Sequence, residues 1–140
     1  MKISHVWRGH GTALFLELGS LSEGRKRKDG TTGNAKGDVT VIVDFDWRIE
    51  RQRSILCGSG ETKRRIASAS KLLLGASVLS SEVVGRIPEL QLQLSNGLWL
   101  ITFRRYEGQP SWAVGFNTLG LGWLGVKGGR LNVDTRKLFN

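Results

Sequence analysis

Acidic, histidine and cysteine side chains are the residues of this chain that could support catalysis or bind a metal. Asp44 and Asp46 lie two residues apart, a spacing that puts both carboxylates on one face of a strand. Such a pair can hold a divalent cation or exchange protons, but beside Arg48 an ion-pair ladder is the more ordinary arrangement. His5 and His10 could share a metal, but the nearby sequence supplies no convincing third ligand, so we predict no metal site.

The single cysteine, Cys57, stands in an apolar run, which favours a buried and inert thiol. One cysteine cannot form an internal disulfide, and a reducing cytoplasm is the simplest compartment. The sequence contains no phosphate-binding loop, zinc-ligand spacing or hydrolase nucleophile motif. We therefore predict a protein that is not an enzyme, has no catalytic residues and uses no cofactor.

Positive charge is the most prominent chemical feature of the chain. The formal net charge is +9, and residues 25–71 hold 12 of the 21 Lys and Arg side chains against six Asp and Glu. A basic surface attracts nucleic acid, acidic proteins or anionic membranes. We predict that the residues contacting a partner or phosphate groups are Arg25, Lys26, Arg27, Lys28, Arg48, Arg51, Arg53, Lys63, Arg64 and Arg65.

The elements that must position these residues are organised around residues 90–105. Apolar residues alternate with polar ones from Leu90 to Leu94 and alternate again from Trp99 to Phe103, which is the period of a half-buried strand. Asn96-Gly97 lies between them and predicts a tight type I′ hairpin turn. Residues 38–50 show the longest alternation in the chain and predict one further strand.

The best helix candidate is residues 61–74, with Ser59 or Gly60 as its cap and Gly75 ending it in the left-handed conformation. The predicted fold class is α+β: an antiparallel sheet of about seven to nine short strands with this one main helix. We expect a single globular domain over residues 1–140, with a loose tail at residues 137–140. No apolar run approaches the length that spans a bilayer.

Residues 19–37 are rich in Gly, Ser and Thr around the basic run at residues 25–28, and they show no periodicity. They predict a mobile basic hairpin loop within the domain. The loop could grip phosphates, but a solvated connection is the preferred interpretation. We expect no nearby aromatic residue to offer a stacking surface, which weakens a case for single-strand binding.

The pattern across residues 38–134 resembles the DUF6188-type family of small bacterial domains of unknown function. The resemblance is carried by structural positions: Leu72-Leu73-Leu74-Gly75, the hairpin from Leu90 to Phe103, Tyr106-Glu107 before Trp112, and Gly128-Gly129 before Leu131 and Val133. It implies a fold and brings no catalytic motif. By analogy, the resemblance implies a partner-binding protein, such as an immunity protein that acts beside a bacterial toxin.

We therefore expect a non-catalytic, cytoplasmic module that binds a protein partner, in the manner of a toxin-neutralising immunity protein. Trp and Arg, which anchor interfaces, are plentiful, although Trp99, Trp112 and Trp123 are expected in the core. The alternative is a nucleic-acid-binding accessory protein that uses the basic loop at residues 25–28 and the region 48–65. Sheet edges leave room for pairing of two copies, and no membrane association is expected.

Overall fold

The computed structural model describes residues 1–108 and 111–135, so the predicted loose tail at residues 137–140 lies outside the described residues. One helix, α1 (Lys63–Ser70), continues into a turn of 3-10 helix at Lys71–Leu73. The strands are β1 (Ile3–Arg8), β2 (Leu14–Leu18), β3 (Val39–Val43), β4 (Trp47–Glu50), β5 (Ile55–Gly58), β6 (Val78–Val84), β7 (Glu89–Leu94), β8 (Trp99–Thr102), β9 (Trp112–Phe116), β10 (Gly122–Lys127) and β11 (Arg130–Asp134).

The strands form two antiparallel sheets. One has six strands in the order β1-β2-β3-β9-β10-β11, and the other has five in the order β5-β4-β8-β7-β6. The predicted antiparallel architecture with one short helix is confirmed. The described residues contain 11 strands, which is more than the predicted seven to nine. The difference comes from β1, which shows no clear alternation, and from a division of residues 38–50.

Residues 38–50 do not form the single strand that their alternation predicts. The chain leaves the six-stranded sheet after Val43 and joins the five-stranded sheet at Trp47, so it crosses between the sheets at residues 44–46. Because the alternation continues through the crossing, Val41 and Val43 are buried from one sheet and Trp47 and Ile49 from the other. The period of two therefore predicts burial on either side of the crossing but not within it, where Asp46 is buried and Phe45 is only partly buried.

The hydrophobic core lies between the two sheets, and α1 closes one side of it. The helix contacts β5 and the 3-10 turn contacts β1, which are edge strands of different sheets. Both sheets and the helix contribute to one cluster of buried side chains: Ile3, Leu14, Leu16, Leu18, Val41, Val43, Trp47, Ile49, Cys57, Ile66, Ala69, Leu73, Ala76, Leu90, Leu92, Leu94, Leu100 and Trp112.

The helix begins later than predicted because the residues before it have other roles. Thr62 is the cap, and its side-chain oxygen accepts a hydrogen bond from the Arg65 amide. Ser59 is buried instead, where its hydroxyl accepts from the Trp47 amide and donates to Asp46. The predicted left-handed conformation of Gly75 is confirmed, with φ of 88°.

The hairpin between β7 and β8 exists as predicted, but its turn is of another type. Asn96 does not have positive φ, whereas Gly97 has φ of 83°. Leu94 and Leu98 pair across a loop of three residues, and the Gly97 amide donates to the Leu94 carbonyl. This is a type I turn followed by a left-handed glycine. Both residues of Gly128-Gly129 have positive φ and join β10 to β11, as a type I′ turn requires.

We predict that Gly97→Ala destabilises the protein by about 1–2 kcal/mol, because a Cβ atom is unfavourable in the left-handed region. Gly60→Ala is the matched control, since Gly60 has no positive φ and a Cβ there meets nothing within 4 Å. The control should be neutral or slightly stabilising. Urea denaturation of the two variants measures the difference, and equal unfolding free energies would contradict the turn assignment.

Candidate functional site

The two sheets differ in width, and this leaves part of one inner face uncovered. Leu131 and Val133 of β11 pair with Val126 and Leu124 of β10, so all four side chains share the face that packs on the core. The five-stranded sheet ends at β6 and does not cover β11. Leu131 is therefore 49% exposed and Val133 is 62% exposed. An apolar strip thus reaches the surface along β10 and β11.

A cleft opens beside this strip, between the edge strand β6 and the strands β9 and β10. Its volume is about 320 Å³, and its walls include Val83, Leu90, Val114, Phe116 and Leu124. The first residues of the chain pair with the start of β6, where the Val78 amide donates to the Met1 carbonyl. Beyond that point, no strand of the described chain pairs with the outer side of β6.

The opposite face of the six-stranded sheet carries a second candidate site, which lies under the predicted basic loop. Residues 19–37 form a hairpin extension in which the Ser22 amide donates to Lys36 and the Gly33 amide donates to Arg25. Every residue of β2 is buried, because the core covers one of its faces and this extension covers the other. Mobility of the extension stays a prediction.

Glu17 holds the extension onto the sheet. This carboxylate is fully buried and accepts hydrogen bonds from three groups: the Trp7 indole at 2.8 Å, the Gly37 amide at 3.1 Å and the Thr40 hydroxyl. Asn117 in turn donates to the Thr40 hydroxyl oxygen. Burial of a carboxylate is costly unless its oxygens are satisfied, and these donors meet that requirement. The hairpin base is therefore tied to two neighbouring strands.

A cavity of about 380 Å³ lies between the extension and the sheet. Trp7, Phe15 and Trp123 line it from the sheet, and Arg25 and Arg27 line it from the extension. The expectation that the basic loop has no aromatic surface near it is therefore wrong. The aromatic residues come from strands that are distant in sequence, which the chain order conceals.

The predicted basic residues lie in separate places. Arg25 and Arg27 share the cavity under the extension, and Lys26 and Lys28 are exposed on it without lining that cavity. Arg48 projects from the outer face of the other sheet, where it pairs with Glu50 at 2.5 Å. The remaining predicted cations are exposed in the β4–β5 turn or at the start of α1: Arg51, Arg53, Lys63, Arg64 and Arg65.

The acidic pair of the sequence does not form the expected ladder. Asp44 and Asp46 lie in the crossing between sheets, and Asp46 is buried against Arg105, with Nε 2.5 Å from Oδ2, rather than beside Arg48. Asp44 accepts from the Thr12 hydroxyl, and burial raises the pKa of its carboxyl. Both carboxylates thus have structural partners.

Two of the three tryptophans expected in the core are buried, and one is not. Trp112 is part of the core cluster, and Trp123 is buried on the outer face of the six-stranded sheet. Its ring lies over Gly115, where an added Cβ would come within 2.8 Å of the indole. Trp99 lies partly exposed on the outer face of the five-stranded sheet, opposite Gln93 and Glu50.

The described residues contain no group of three or more acidic, histidine or cysteine side chains that could hold a metal ion. His5 instead lies 3.0 Å from the Asn34 side chain on the basic extension. No helix in the described ranges combines the length and the apolar character needed to cross a membrane.

Comparison with known proteins adds no relative: no family model, curated protein or solved structure matches this chain. The resemblance across residues 38–134 therefore stays a prediction.

Cys57 is buried in the core, and burial raises the pKa of its thiol from 9.0 to about 11, with the nearby Glu61 carboxylate as a second cause. This shift lowers the thiolate fraction at pH 8 by about 100-fold, and burial also blocks access. We expect no measurable reaction with Ellman's reagent in native buffer at pH 8 and complete reaction in 6 M guanidinium chloride. Rapid labelling of the folded protein would contradict a buried, inert thiol.

Proposed function

We propose that this protein is a non-catalytic module that binds a protein partner by accepting one extended strand along β6. The observation that carries the proposal is the unequal width of the two sheets. The five-stranded sheet stops at β6 while the inner face of the other sheet continues through β10 and β11. A strand added next to β6 would extend the narrower sheet over that face.

The chemistry of the cleft defines the strand that would fit. Backbone groups on the outer side of an edge strand form hydrogen bonds with an added strand, and alternate side chains then enter the space between the sheets. That space is lined mainly by apolar groups, among them Val83, Val114 and Leu124, with Ser81 and Glu82 of β6 at its edge. The partner strand should therefore present apolar residues at every second position. Exposed apolar edge strands are otherwise avoided in proteins because they promote aggregation.

A binding role without catalysis also agrees with how the polar groups are used. Glu17 and Asp46 are buried in structural hydrogen bonds, and the Cys57 thiol is held protonated. We propose that the protein binds and neutralises a toxin in the cytoplasm, because the family resemblance implies that role.

We predict that Val133→Asp abolishes capture of the partner, while Asn132→Asp retains it. The two residues are adjacent and exposed, but Val133 faces the apolar strip and Asn132 faces the other side of the sheet. Each variant adds the same charge, and burial of an unpaired carboxylate against a docked strand is strongly unfavourable. Both variants should fold normally, since exposed positions change stability by about 0.5 kcal/mol or less.

The measurement is affinity capture from the cells that express the protein, followed by identification of proteins held in stoichiometric amount. Hydrogen exchange on the purified complex should then show new protection at residues 79–84. Equal capture by both variants, or protection elsewhere only, would remove β6 as the docking edge. Sedimentation of the isolated protein tests a second copy as the occupant, which would appear as a dimer that Val133→Asp dissociates.

A further inference from the structure

We infer that the cavity beneath the basic extension binds a nucleotide, either free or as part of a single-stranded nucleic acid. This site is independent of the β6 edge, because the extension covers the outer face of the six-stranded sheet while the β6 cleft lies on its inner face. Three features of the cavity support this site: its aromatic walls are rigid, cations line it, and its volume lies in the range usual for small-molecule sites.

The aromatic walls are held in fixed orientations. The Trp7 and Phe15 rings stack with centroids 3.7 Å apart at an angle of 12°, and the Trp7 indole is also tied to Glu17. Trp123 contributes a third ring from β10. Flat rings that cannot reorient lose little entropy when a base stacks on them, and stacking tolerates any base. These walls therefore suit a planar heterocycle.

The cations of the extension alternate between the cavity and the solvent. Arg25 and Arg27 lie two residues apart on one arm of the hairpin, and both line the cavity. The Gly33 amide donates to the Arg25 carbonyl, and the Arg27 amide donates to the Thr31 carbonyl, so the arm that carries them is paired. In the described part of the chain neither arginine forms an ion pair with a carboxylate. The Arg27 guanidinium donates one hydrogen bond, to the Thr31 hydroxyl at 3.4 Å, which leaves its other N–H groups to contact a phosphate as those of Arg25 can.

Close contact between its two arms keeps the hairpin extension narrow. A Cβ atom at Gly24 would come within 1.8 Å of the Gly33 carbonyl oxygen, so the arms approach at a distance that only glycine permits. The cavity volume of about 380 Å³ falls in the range of about 300–1,000 Å³ that is usual for small-molecule sites. The carboxylates of Glu17 and Glu23 also line the cavity, and they should disfavour a ligand with more than a few negative charges.

The test is fluorescence anisotropy with a labelled 12-nucleotide single strand, comparing two double variants of the full chain. Arg25→Ala/Arg27→Ala removes both arginines that line the cavity and leaves Lys36, whereas Lys26→Ala/Lys28→Ala removes two cations that do not line it. Each variant lowers the net charge equally, so a purely electrostatic attraction would weaken to the same extent in both. We expect the arginine variant to bind at least ~10-fold more weakly and the lysine variant to change by less than ~3-fold.

Competition separates the two sources of the ligand. If free adenosine monophosphate displaces the strand at low millimolar concentration and inorganic phosphate does not, the site recognises the nucleotide itself. If only longer strands compete, the site belongs to single-stranded nucleic acid, which also supports the inference. Equal losses in both double variants, equal binding of polyglutamate, or no binding at micromolar protein in 50 mM salt would each overturn it.

Discussion

The interior of this protein depends on how the chain crosses between its two sheets, which it does at residues 44–46 and again between β8 and β9. At the first crossing, Val41 and Val43 enter the core from one sheet, and Trp47 and Ile49 enter the same core from the other. Asp46 stands at the crossing, where the Ser59 hydroxyl and Arg105 hold its carboxylate and its backbone pairs with Phe103.

Hydrogen-bonded carboxylates tie the loops to this frame. Glu17 and Asp46 are buried; Glu17 joins the basic extension to β1 and β3, and Asp46 holds the crossing. An unsatisfied buried carboxylate would cost several kcal/mol, so these two groups specify loop positions. The half-buried Glu89 accepts from the Thr102 and Ser111 hydroxyls and from the Arg104 amide, which fixes the segment after β8. The acidic residues that suggest chemistry in the sequence therefore serve the architecture.

The alternating patterns predict most of the burial but not the division into sheets. Leu90, Leu92 and Leu94 are buried as their spacing indicates, because a strand with one covered face has a period of two. The crossing at residues 44–46 leaves no trace in that period, since the same face stays inward on both sides of it. Strand β1 is not predicted because both of its faces carry apolar and polar side chains together. The cap at Thr62 is not predicted because Ser59, the expected cap, instead accepts a hydrogen bond from Trp47, which is distant in sequence.

The candidate sites were less accessible to prediction than the fold. The basic run at residues 25–28 is evident in the sequence, but its aromatic neighbours come from β1, β2 and β10 and meet it only through sheet pairing. The apolar strip on β11 depends on the number of strands in the opposite sheet. No local sequence pattern reveals how many strands the opposite sheet has, because Leu131 and Val133 have the spacing of ordinary core residues in an alternating strand.

Hydrogen exchange of the isolated protein at neutral pH tests most directly whether the wider sheet is left uncovered. Slow exchange is expected for the central strands β3 and β9. Much faster exchange is expected for β11 and for those amides of residues 79–84 that point away from β7. Protection of β11 and residues 79–84 equal to that of β3 would show that something already covers the strip, and the account of an open edge would be wrong.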